Sequence, residues 1–74
     1  MLWMTKIEIM DAIGANLSKI RKEQRHTQKE IAAKAGLDMN YYAKIERGES
    51  MPSLTTLEKI VRAFGVSSAD ILPF

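Results

Sequence analysis

Cysteine is absent from the 74-residue chain. That excludes disulfides, thiolate zinc sites and cysteine nucleophiles together, and it is compatible with a reducing, cytoplasmic setting. There is a single histidine. With no paired carboxylates beside a pocket, nothing resembles a catalytic constellation, so the chain is not expected to be an enzyme and no cofactor or metal is expected. Long apolar runs are missing too, and none approaches the roughly 18 residues of a membrane span. The N-terminal Met1-Leu2-Trp3-Met4 is apolar, but Lys6, Glu8 and Asp11 interrupt it before a signal-peptide core could form. A soluble, cytoplasmic chain with no membrane partner is the expectation. Charge of one sign is scarce as well. The net charge is +2, weak support by itself for a nucleic-acid partner.

What is present is enough for one domain, residues 1–74. Hydrophobic residues make up 46% of the chain, although at this size only about 60% of the unfolded surface can be buried. The charges are unevenly placed. Residues 1–36 hold seven bases and four acids, net +3, whereas residues 37–74 hold four bases and five acids, net −1. The positive side therefore lies around the end of the first helix and the start of the second.

Thr5 with Glu8 forms the pattern of a capping box, and the first helical run begins at Lys6. Ile9, Ile13, Leu17 and Ile20 make one amphipathic stripe, and the helix should reach about Gln24. Gly14 lies inside it at a cost of about 1 kcal/mol relative to alanine, which points to close packing or to a frayed first turn. Residues 27–48 hold the pattern that organises the rest. Ile31, Ala32 and Ala35 face a core, Gly36 ends one short helix, Leu37 fills the corner and Asp38 caps the next helix. Tyr42 and Ile45 are the buried positions of that second helix, which stops at Gly48. Two short helices joined through one glycine are a helix-turn-helix, about residues 28–47.

Pro52 forbids continuation of that helix and Ser53 caps the following one, whose core stripe is read as Leu54, Leu57, Ile60, Val61 and Phe64. Ser67 with Asp70 opens a short final helix that Pro73 ends. The expectation is an all-α, compact five-helix bundle with no strand.

Leu17, Ile20 and Arg21, Thr27-Gln28, Ile31-Ala32, Ala35-Gly36, Ile45-Glu46-Arg47-Gly48, Pro52-Ser53-Leu54, Leu57 and Ala63-Phe64-Gly65-Val66 stand in an order that resembles the Cro/phage-repressor (XRE-like) family. The resemblance covers roughly residues 13–72. It implies a lambda-repressor-like DNA-binding domain, a regulator that reads a palindromic operator on double-stranded DNA, usually as a homodimer. His26 departs from the leucine usual before Thr-Gln and weakens the hydrophobic staple there, and residues 1–8 extend beyond the family's shortest members.

In such a domain the second helix of the motif, residues 38–47 here, enters the major groove. Tyr42 and Ile45 facing inward leave Met39, Asn40, Ala43, Lys44 and Arg47 outward. Asn40 is suited to adenine, Lys44 to guanine and Met39 to a thymine methyl, which makes these three the expected base contacts. Thr27, Gln28, Tyr41 and Arg47 are the expected backbone contacts, with the free N–H groups at the start of the second helix aiding the phosphate. By resemblance, Arg21 and Glu46 form a partly buried ion pair. Ile71, Leu72 and Phe74 are the expected dimer contacts, with Leu2 and Trp3 the second choice. The rival reading is an antitoxin or other regulator of the same fold whose main contact is a partner protein.

Overall fold

The computed structural model describes residues 3–74. Among them are four α-helices: α1 (Lys6–Glu23), α2 (Gln28–Ala35), α3 (Met39–Glu46) and α4 (Leu54–Phe64), followed by a single 3-10 turn at Ser68–Asp70. The fold is all-α, with no strand among the described residues. The expected fifth α-helix is therefore corrected to one turn. Pro73 has no N–H to extend it and disfavours helical backbone at Leu72. The Ile71 carbonyl instead accepts from Asn16 Nδ2 at 2.8 Å, which pins the C-terminal segment to α1.

The helix starts follow from short-range chemistry. Thr5 Oγ1 accepts from the Glu8 N–H at 3.1 Å while Glu8 Oε1 accepts from the Thr5 N–H at 2.9 Å. Thr27 and Glu30 make the same reciprocal pair at 3.0 and 2.8 Å. Asp38 caps α3 and Ser53 caps α4, each accepting an N–H three residues on at 3.1 Å. Gly36 takes a left-handed φ of 71°, which ends α2 and turns the chain into α3 without the steric cost a β-carbon would incur. Arg25 takes the same conformation after α1, with φ 60°, although it is not glycine.

Packing then joins the elements in pairs: α1 lies on α3, and α2 lies on both α3 and α4. Gly14 explains how α1 gets so close. A β-carbon there would collide with the carbonyl oxygens of Ile45 and Glu46. The glycine in α1 is a close-packing device, and the helix around it is intact. One core results, built from Ile13, Leu17, Ile31, Tyr42, Ile45, Ile60, Phe64 and Ile71, with Ala32, Ala35 and Ala63 letting backbones approach.

Two packing expectations need correction. Leu54 is 84% exposed, because the inward face of α4 is Thr56, Ile60, Ala63 and Phe64. Leu57 and Val61 lie on its flank, and with Leu54 and Leu72 they border an apolar groove. Ala43 is buried although it was expected to face outward.

Candidate nucleic-acid interface

About 100° separates successive residues around a helix. In α3 this places Ile45, Tyr42, Glu46 and Ala43 on one arc, and Asn40, Lys44 and Arg47 on the other. The burial matches: Tyr42, Ala43 and Ile45 are buried, whereas Asn40, Lys44 and Arg47 are exposed. Met39 is exposed because it stands in the first turn, although its phase falls between Glu46 and Ala43. Asn40 and Lys44, two of the three expected base readers, thus share one exposed surface of a helix held from behind.

The inward arc includes a carboxylate, and the fold supplies its partner. Glu46 has a side chain only 4% exposed, and Arg21 on α1 is 13% exposed. Arg21 Nε donates to Glu46 Oε2 at 2.6 Å and Nη2 donates to Oε1 at 3.1 Å, a two-point fork. Arg21 Nη1 donates to the His26 carbonyl at 3.0 Å, so one guanidinium ties α1, the joint before α2 and α3 together. Burial pushes the Glu46 carboxyl up, but Arg21 and the neighbouring polar groups more than offset this and hold it below its ordinary range. The Tyr42 hydroxyl is buried beside this pair with no hydrogen-bond partner among the described residues. Burial raises its pKa, so it stays neutral.

The expected backbone contacts divide. Gln28 directs its amide into the ion-pair network, donating from Nε2 to Glu46 Oε1 at 3.1 Å. Thr27 accepts the Glu30 N–H through its hydroxyl oxygen, which leaves the O–H hydrogen for an outside acceptor. Its role as a cap was readable from Glu30 three residues later. Tyr41 is half-buried, and its hydroxyl turns toward α4, 3.4 Å from Thr56 Oγ1. Arg47 is exposed but forks onto Glu49, with Nε to Oε2 at 2.7 Å and Nη2 to Oε1 at 3.3 Å. The dimer residues divide as well. Ile71 is fully buried in its own core, because Asn16 holds its backbone against α1, and this removes it as a surface contact. Leu72 is half-buried and Phe74 is 82% exposed. Trp3 is 81% exposed ahead of α1; Leu2 lies outside the described residues.

Among the described residues no group of three or more histidine, cysteine, aspartate or glutamate side chains could hold a metal. No helix there is long and apolar enough to cross a membrane.

Two short helices meeting at a left-handed glycine, the second braced from behind and polar in front, define a helix-turn-helix domain. Comparison with known proteins agrees. The helix-turn-helix family profile matches residues 17–71. Over 66 residues the chain is 30% identical to the uncharacterized HTH-type transcriptional regulator y4dJ of Sinorhizobium fredii, covering 89% of this chain and 86% of that protein. It is 42% identical over 60 residues to the immunity repressor protein of Bacillus phage phi105, covering 81% of this chain but 42% of that repressor. The fold superposes on the restriction-modification controller protein C.AhdI from Aeromonas hydrophila with a TM-score of 0.83 at 25% identity, covering 85% of this chain and 96% of that one. The chain belongs to the helix-turn-helix family, of the Cro/phage-repressor (XRE-like) type. It is a transcriptional regulator with a DNA-binding fold, not an enzyme.

Proposed function

We propose that this regulator binds a palindromic operator on double-stranded DNA as a homodimer, with α3 in the major groove. The observation that carries the reading is the exposed face of Asn40, Lys44 and Arg47 on a helix whose opposite face is locked by Glu46 and Arg21. Rigid backing matters because base readout depends on side chains arriving in register with base edges. Asn40 reads adenine through two hydrogen bonds, Lys44 donates to guanine, and Met39 packs on a thymine methyl. Thr27 and the first N–H groups of α2 hold a phosphate, since a helix N-terminus favours an anion. Arg47 supplies a second backbone contact. Gln28 positions Glu46 and reaches the backbone only through its N–H.

The homodimer rests on arithmetic and on one surface. About three base readers at roughly 1–3 kcal/mol each give ~3–9 kcal/mol of discrimination. Selecting one site among ~10⁶ or more needs about 8 kcal/mol or more, against which one subunit is marginal and two, at ~6–18 kcal/mol, are better matched. The apolar groove bordered by Leu54, Leu57, Val61 and Leu72, together with the exposed Phe74, is the contact we assign to the second copy. Half-sites then lie about one helical turn apart, ~34 Å.

The test is selection from random duplexes with fluorescence anisotropy across salt concentrations, alongside sedimentation. An enriched palindrome bound by two copies supports the reading. A monomer with no sequence preference overturns it and favours the partner-protein reading, in which the same apolar groove receives a different chain.

A further inference from the structure

The one arginine on the outer arc of α3 is occupied. Its partner, Glu49, sits just past Gly48, whose φ of 73° folds the chain back over the end of the helix. The Glu49 N–H donates to the Lys44 carbonyl at 2.9 Å, so the backbone that carries the carboxylate is anchored to α3 itself. From there both carboxylate oxygens reach Arg47, at 2.7 and 3.3 Å. The Lys44 ammonium also attracts the same carboxylate. Glu49 thus pairs with Arg47 and feels the Lys44 charge as well. Both members of the Arg47–Glu49 pair are about half exposed, at 53% and 55%. No buried partner locks them, and an exposed pair of this kind is easily exchanged.

A guanidinium receives a phosphate through the same two-point fork by which it receives a carboxylate. We propose that Glu49 is a built-in competitor for DNA phosphate: it holds Arg47 in the free protein and must be displaced before Arg47 binds the backbone. Residue 49 then sets how tightly the protein holds any duplex, without taking part in base selection. This rests on the DNA-binding reading above and deepens it. The device keeps non-specific binding weak while leaving Asn40 and Lys44 to discriminate. Because operator and random DNA are weakened alike, the ratio between them stays with Asn40 and Lys44.

The experiment is a double-mutant cycle of Glu49→Gln and Arg47→Ala, read by anisotropy on the selected operator and on a random duplex at several salt concentrations. Glu49→Gln should tighten binding to both duplexes by the same factor, roughly three- to tenfold at low salt. Its salt dependence should steepen by about one phosphate contact, ~0.9 in the log–log slope. In the Arg47→Ala background the gain should vanish. A gain that persists there reports general charge repulsion and overturns the proposal, as does a gain confined to the operator or no gain at all. If the parent protein binds neither duplex at low salt, the DNA-binding reading itself fails. Binding by the parent with Glu49→Gln unaltered sinks the competitor alone.

Discussion

Replacing Glu46 by alanine should be among the most damaging single changes in this chain. The substitution leaves Arg21, 13% exposed, with its Nε and Nη2 unpaired beneath α3, and it removes the acceptor of the Gln28 amide. Breaking one side of a buried pair costs about 3–5 kcal/mol. A domain of this length has a total stability of about 4–11 kcal/mol. At about 4–8 °C per kcal/mol, the Tm should fall by more than about 12 °C, and the variant should approach unfolding at physiological temperature. Far-UV circular dichroism during heating measures this. Glu49→Ala is the matched control, since it removes the same residue type from an exposed pair, and its Tm should hardly move. Equal shifts for the two would refute the reasoning. A further arm replaces both members, Arg21→Met with Glu46→Leu, and should recover most of the loss, because two apolar side chains strand no charge. The pH dependence has a definite sign. Glu46 titrates below its ordinary value of 4.5 in the folded protein, so its contribution is present above that pH and lost as pH falls through the folded value. The parent should lose stability below about pH 4.5, and Glu46→Gln should lose less over the same range.

Four further outcomes are expected. Gly14→Ala should cost about 1–3 kcal/mol by urea unfolding, because the new methyl meets the Ile45 and Glu46 carbonyls, despite the better helix propensity of alanine. Arg25→Gly should raise stability by about 0.5–1 kcal/mol in the same assay, since it relieves a left-handed backbone at φ 60°. Asn40→Ala should lower affinity for the selected operator by about 1–3 kcal/mol and leave random DNA nearly unaffected; equal losses on both would remove Asn40 from base readout. Leu54→Asp, at a position 84% exposed, should keep the helix content and shift sedimentation from dimer to monomer. Unchanged sedimentation would place the interface elsewhere.

The elements of the fold were legible wherever the deciding chemistry lies within a few residues. Thr5 with Glu8, Asp38, Ser53 and Gly36 mark their helix ends because a cap or a left-handed turn is settled by neighbours three or four positions away. The Thr27–Glu30 box carried the same signal, yet Thr27 was read only as a phosphate contact; the structure makes it a cap as well. The exposure of Asn40 and Lys44 followed from helical phase and survives in the structure. Gly14 was legible only as a choice between close packing and fraying, since the sequence does not say what lies opposite it.

The sequence by itself determined the all-α class, the helix-turn-helix and the exposure of Asn40 and Lys44 on α3, because periodicity and capping are local. Only the tertiary structure decided which flank of α4 faces the core, and so left Leu54 outside. It also drew Ile71 inward through a hydrogen bond from Asn16, 55 residues away in the chain. It turned Gln28 onto Glu46 and closed Glu49 over Arg47. Burial and pairing are properties of what a residue meets across the fold, and an apolar or charged side chain does not encode its own neighbour.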